Sequence, residues 1–382
     1  MAYPRIFIFI CLVIVWVIST AGSASTVSDN SFAYSKIISI RGSPAGTQIN
    51  YPVRVTLFNT TGINSPGVIF LGSGIVSPSW SDIRFSKAAG GDFYPYWIES
   101  TNETSVTIWV NVPAIPPEGV NAILRYGNSI APDAQDGHST FTFFDNFNGN
   151  SLNTAQWSAS SGVTVSNGMA TITATSMPVP GNYLSSTAQF GTGYRIVARI
   201  RPHDFGGTRT TEFFYASYNG DTMQDTAYYS HVYPEFPGKY YNDNGGGSVG
   251  AGSVGGKITG IFPNTWNRHE AIKDDTAITW IVNSGIPYTF NTKYYSGPGS
   301  VRFGTYRAGI EDVDWVFVGK YIYPEPYVFV LPTGDTTRTI PESMGPSNSD
   351  IITEKWIENL YYFLLGILLI GIFVEGWKAI KH

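Results

Sequence analysis

The densest run of residues able to do chemistry lies within residues 203–241. It holds Arg209, Glu212, Tyr228, Tyr229, His231, Tyr233, Tyr240 and Tyr241, with His203 and Asp204 at its start. Aromatic faces pack on the CH face of a sugar ring while Arg, Glu and His reach its hydroxyl edge, so this mixture suits saccharide binding. Tyrosines are also the adaptable contacts of protein-binding loops, and they pack loops onto sheets. All three readings stand at this level. Retaining glycoside hydrolysis needs two carboxyl groups roughly 5 Å apart. Glu212 has no acidic partner at local strand spacing, and Glu311-Asp312-Val313-Asp314 lies far along the chain. A pair assembled by folding stays open. His203, His231 and His269 lack the spacing of a zinc site,. The lone cysteine, Cys11, sits in the first apolar run, which excludes an intrachain disulfide, a thiolate metal site and a cysteine nucleophile elsewhere,. Residues 244–257 are Gly-rich but lack the Lys-Ser/Thr exit of a phosphate loop,.

The elements that must position these groups are strands. The chain has 382 residues, with 15% aromatics, 41 Gly and 23 Pro, and β-branched residues between them, the composition of an all-β protein,. A net charge of -5 leaves no cationic surplus to neutralise phosphates, so a nucleic-acid partner is excluded,. Apolar residues alternate in residues 51–57, 105–112 and 194–201, the period of half-buried strands,. Asn167-Gly168 between Val163-Thr164-Val165 and Ala170-Thr171-Ile172 predicts a hairpin with a type I′ turn,. Tyr96, Trp97 and Trp109 are expected to pack within a sheet sandwich,.

The ends read as membrane signals. Arg5, an apolar run over residues 6–18 and the small residues 21–24 predict a secretory signal over residues 1–24, the alternative being an uncleaved anchor,. Residues 357–377 form an apolar span long enough to cross a bilayer as a helix,. Tyr361, Tyr362 and Trp377 lie at belt positions, and Lys378 and Lys381 put the 378–382 tail in the cytoplasm with the bulk of the chain outside,. Thr, Pro and Ser enrichment makes residues 331–355 a stalk,. The sequons at Asn59 and Asn102 are glycosylation candidates consistent with that exposure,.

The run Asp82-Ile83-Arg84-Phe85, then Tyr94-Pro95-Tyr96-Trp97-Ile98-Glu99, Trp109-Val110-Asn111-Val112-Pro113 and Leu124-Arg125-Tyr126-Gly127-Asn128 resembles a family of extracellular β-domains of unknown function. These occur in archaeal and bacterial surface proteins, typically ahead of a concanavalin A-like module. Phe144-Asp145-Asn146-Phe147-Asn148-Gly149 with Trp157, residues 194–202, and Asp314-Trp315-Val316-Phe317-Val318-Gly319 resemble such a module, of the lectin/glucanase and laminin-G-like kind. The resemblance implies two tandem β-sandwich domains, residues 30–135 and a jelly roll over residues 139–326. It also implies a structural calcium near Asp145 and Asp314, whose oxygen ligands suit that ion. The two glutamates flanking an aspartate that mark the hydrolases of this superfamily are absent as a local motif. The expectation is a surface recognition or adhesion protein, tethered to the lipid bilayer, binding glycans or a surface partner without catalysis. The rival readings are an architectural, self-associating envelope or coat protein of an archaeal cell or virus, and a glycan hydrolase with an atypical acid pair.

Overall fold

Alternating burial along the chain closes two β-sandwiches in a computed structural model,. It describes residues 31–72, 77, 79–87, 91–174, 182–203, 211–219, 222–230, 239–241, 264–290, 297–305, 309–330 and 335–336, with the backbone alone at residues 211–219, 222–230 and 239–241. The expected signal, the span at 357–377 and most of the stalk lie outside these residues. Among the described residues no helix is long and apolar enough to cross a membrane.

The strands in chain order are β1 (Tyr34–Arg41), β2 (Gln48–Phe58), β3 (Val68–Phe70), β4 (Arg84–Lys87), β5 (Tyr96–Thr101), β6 (Ser105–Ile115) and β7 (Val120–Tyr126), then a short helix α1 (Gly137–Thr140). They continue with β8 (Phe143–Asp145), β9 (Trp157–Ala159), β10 (Val163–Ser166), β11 (Met169–Ala174), β12 (Tyr183–Phe190), β13 (Tyr194–Pro202), β14 (Thr211–Asn219), β15 (Thr222–Ser230) and β16 (Lys239–Tyr241). Last come β17 (Asn267–Lys273), β18 (Ile278–Val282), β19 (Tyr288–Phe290), β20 (Gly299–Thr305), β21 (Gly309–Lys320), β22 (Tyr327–Phe329) and β23 (Asp335–Thr336).

The first sandwich packs a five-stranded sheet, β22-β1-β7-β4 with β23 on β1, against a four-stranded sheet, β3-β2-β6-β5. Ile38, Ile40, Phe85 and Leu124 of one sheet meet Val53, Val55, Ile108 and Val110 of the other. Its last strands come from beyond the second sandwich. Val328 of β22 is buried in this first core, and Asp335 and Thr336 pair with Lys36 and Ser35. The stretch read as a stalk from residue 331 therefore includes a strand, because β1 offers an edge whose backbone groups it satisfies. Asp82 and Arg84, two positions apart on the chain, are both buried and serve different partners. Asp82 accepts from Ser77 N and Gly127 N, while Arg84 donates to the carbonyls of Ser81, Ile83 and Pro132.

The second sandwich packs an eight-stranded sheet, β10-β11-β21-β13-β17-β18-β19 with β8 on β21, against a six-stranded sheet, β16-β15-β14-β20-β12-β9. Ile196, Ala198, Trp280, Val316 and Val318 face Trp157, Leu184, Val301 and Phe303. The predicted hairpin forms: Asn167 and Gly168 have φ of 52° and 72° and Ser166 pairs with Met169, the left-handed turn that continues strand twist,.

The sandwiches are stacked rather than strung. Residues 31–337 lie within one compact unit, and the outer faces of the four-stranded and eight-stranded sheets share a third core. Trp97 and Trp109 come from one face, Phe144, Val197, Trp315 and Phe317 from the other, and Phe141 from the connection. Phe141 stacks on Phe317 at 3.9 Å, and Trp97 meets Trp315 edge-on at 5.1 Å, arrangements that aromatic quadrupoles favour. A Cβ at Gly319 would come within 3.0 Å of Pro52 Cγ, so glycine permits this close approach. The expectation that Trp97 and Trp109 are packing residues holds, though their partner is the second sandwich.

Candidate functional site

Pairing register decides which of the expected ligand residues share a face. Phe303 of β20 is in the core and pairs with Leu184 and Phe214, so that row lies inward. Side chains alternate along a strand and directly paired residues share a face. Glu212, opposite Tyr229 and Thr305, falls two positions from Phe214 and is in an inward row; Tyr240, opposite Ala227, is likewise inward. Tyr228, opposite Phe213 and Lys239, and Tyr241, opposite Thr226, are in outward rows. Arg209, His231 and Tyr233 lie outside the described residues. The expected set is thus divided: Tyr228 and Tyr241 share the outer face of the six-stranded sheet, and Glu212, Tyr229 and Tyr240 do not join them.

That outer face gathers residues the sequence reading passed over. Its transverse rows are Ser185–Arg302–Tyr215–Thr226–Tyr241 and Tyr183–Gly304–Phe213–Tyr228–Lys239. Arg302 is buried, with its guanidinium 3.8 Å from the centre of the Tyr183 ring. The signal for this grouping was the two-residue period of β14 and β15, whose acids, Glu212 and Asp225, both fall in inward positions. Aromatics, hydroxyls and two cations remain on the face, with no carboxylate among the described rows.

The other expected acids are engaged elsewhere. Asp145 accepts from Phe147 N at 2.8 Å and from Trp157 Nε1 at 2.7 Å, closing the turn after β8. Asp314 pairs with Arg199 at 2.5 Å. Among the described residues no group of three or more His, Cys, Asp or Glu gathers. Calcium asks for six to eight oxygens; here Asp145 and Asp314 each accept from protein N–H groups. Asp312 is buried under Thr171 Oγ1 at 2.7 Å, Arg201 Nη2 at 2.6 Å and His203 Nε2 at 2.6 Å. Burial pushes its pKa up, but the bonds from His203, Thr171 and Arg201 outweigh that and hold it below the ordinary carboxylate value. Asn102 is exposed and closes the β5–β6 turn by accepting from Thr104 N and Ser105 N; Asn59 is half-buried and donates its backbone N–H to Thr104 O, so both sequons sit at one end of the four-stranded sheet.

Between the sandwiches runs a ladder of ions. Glu99 pairs with Arg268 at 2.6 Å, Arg268 with Glu270 at 2.6 Å, Glu270 with Arg195 at 2.6 Å, and Arg195 with Glu325 at 2.6 Å. Trp109 Nε1 donates to Glu99 at 2.6 Å, and Tyr51 donates to Glu325 at 3.2 Å. Burial would raise the Glu270 carboxyl, but Arg195 and then Arg268 overcome it and bring its pKa down to about 2. Burial would weaken the charge on Arg195; Glu270 and Glu325 reverse that, and its pKa is raised. The ladder holds the central carboxylate, Glu270, ionised.

Residues 79–160 match a family described only as a domain of unknown function, DUF2341. No curated protein matches the chain. Among solved structures it is similar to the β-glucanase of Bacillus licheniformis, at 16% identity over 47% of this chain and 97% of that one, TM-score 0.38. It is also similar to a β-1,3-1,4-glucanase (lichenase) from a mouse hindgut metagenome, at 14% identity over 47% and 99%, TM-score 0.38. A third is an immunostimulatory antigen and pseudo β-1,3-glucanase of Mycobacterium tuberculosis, at 12% identity over 48% and 99%, TM-score 0.39. Likenesses this distant say nothing of activity.

Proposed function

We propose that this chain is a membrane-anchored surface protein that recognises saccharides without turning them over, using the outer face of the six-stranded sheet. The observation that carries the reading is the composition of that face. Tyr183, Phe213, Tyr215, Tyr228 and Tyr241 stand in register with Arg302, Lys239, Ser185 and Thr226, and no acid is placed among them. Aromatic platforms with a few polar groups hold sugar rings, whereas glycoside hydrolysis needs a carboxyl pair astride the bond. The ladder pairs Glu99, Glu270 and Glu325 with arginines, and Asp312 and Asp314 are paired with Arg201 and Arg199. The bilayer anchor rests on the apolar span at 357–377,.

The test is a glycan array probed with the full chain in detergent, alongside a reducing-end assay on the glycans that bind. Binding lost in Tyr228→Ala and Tyr241→Ala, kept in Glu212→Gln, with no sugar released, is the expected result. Release of reducing ends that Glu212→Gln abolishes overturns the non-catalytic reading. Binding to no glycan, with ordered arrays in purified membranes, moves the chain to an architectural role.

A further inference from the structure

A groove of about 590 Å³ opens between the two sandwiches, beside the ion ladder and away from the sheet face just described. Ser100 and Thr101 of β5 and the Gln135 side chain line one wall, and Arg199, Arg268 and Trp315 line the other. Beyond Arg199 the wall continues as a strip. The Arg199 guanidinium lies 5.0 Å from the Trp266 ring centre, and that of Arg201 lies 4.5 Å from it on the same indole. His203 follows, bonded to the same carboxylate as Arg201.

Hydrogen-bond supply along this strip is one-sided. The carboxylates are engaged: Glu99 takes Trp109 and Arg268, Asp314 takes Arg199, and Asp312 takes Thr171, Arg201 and His203. The carboxylates also lie beneath their cations. Asp312 is 4% exposed under Arg201 at 29%, and Asp314 is 27% exposed under Arg199 at 43%. A guanidinium carries five N–H donors and accepts nothing. Arg199 directs one nitrogen to Asp314, and Arg201 directs two to Asp312, which leaves donors on the solvent side. The complement of such a surface is a ligand rich in acceptor oxygens and carrying negative charge, since charge-assisted bonds to guanidinium are the strong ones. Hydroxyl and amide groups at Ser100, Thr101 and Gln135, with an indole opposite, suit a sugar backbone rather than a peptide,.

We propose that the groove and the Arg199–Trp266–Arg201 strip form a second binding site, specific for a saccharide bearing carboxylate or sulfate groups. The proposal rests on the saccharide reading above but uses different residues. The full chain in detergent is titrated calorimetrically with hexagalacturonate, a chondroitin sulfate hexasaccharide and neutral laminarihexaose. Both acidic probes are expected to bind, with affinity falling at least about tenfold in Arg199→Gln and in Trp266→Ala, and retained in Arg199→Lys and in Tyr228→Ala. Binding should weaken as sodium chloride rises from about 50 to about 300 mM, as screening requires. If only one acidic probe binds in this way, the charged group is identified as carboxylate or sulfate. The Arg199 side chain is 43% exposed, so Arg199→Gln folds as the parent does, which circular dichroism verifies. Acidic probes that bind no better than laminarihexaose, or that ignore Arg199→Gln and Trp266→Ala, overturn the second site while leaving saccharide recognition standing. Equal binding of inositol hexakisphosphate or polyglutamate overturns its saccharide specificity. No binding by any sugar removes both readings together.

Discussion

Replacing Glu270 with Gln removes the central carboxylate of the ladder, and its cost can be worked from the geometry. Glu270 stands between Arg195 and Arg268 at 2.6 Å from each and is buried. Its carboxyl falls from the ordinary 4.5 to about 2. At about 1.36 kcal/mol for each pH unit, that difference is worth about 3 kcal/mol. Breaking a buried pair from one side costs a similar ~3–5 kcal/mol, because the abandoned charges stay buried. Here the abandoned charges are two guanidiniums, although Glu325 and Glu99 still hold one each. A carboxylate with a lowered folded pKa stabilises fully above its unfolded value and loses that contribution as pH falls through the folded one. The wild-type advantage over Glu270→Gln should therefore be about 3 kcal/mol at neutral pH, shrink below pH 4.5 and vanish near pH 2,. Urea unfolding across that range measures it. A neutral-pH gap under about 0.5 kcal/mol, the size of an exposed pair, or a gap that does not shrink with acid, would refute the ladder as a buried ionised network.

His269 adds a second acid window. It is fully buried, and burial followed by the Arg268 charge lowers its pKa from 6.5 to about 4. Its neutral form is the stable one, so stability is lost as pH falls from 6.5 toward 4, by up to about 3 kcal/mol; His269→Phe should flatten that part of a pH–melting curve. Chelation with EDTA should leave the melting temperature unchanged, because Asp145 and Asp314 are satisfied by protein donors, whereas Asp145→Ala should cost about 1–3 kcal/mol by orphaning Trp157 Nε1 and Phe147 N in a urea titration,. A chain ended after residue 326 should unfold at lower urea than one ended after residue 337. The shorter chain loses Val328 from the first core, a burial worth about 2 kcal/mol, together with the β22 pairing,.

The chain by its residue order alone determined what is local. Two-residue alternation in β2, β6 and β13 and the Asn167-Gly168 turn specify strands and hairpins, because burial period and positive φ are properties of neighbours along the chain,. The all-β class and the lack of cysteine chemistry followed in the same way. Faces were not legible. A shift of one residue moves a side chain to the opposite side of a sheet, so only the register of β14, β15 and β16 separated Tyr228 and Tyr241 from Glu212, Tyr229 and Tyr240. Trp97, Trp109, Trp315 and Phe317 read as apolar core in any arrangement, and which core they fill depends on the two sandwiches docking face to face. The ladder was least legible of all: Glu99 and Arg268 are 169 residues apart, and a charge carries no mark in the sequence of the partner that folding will place against it.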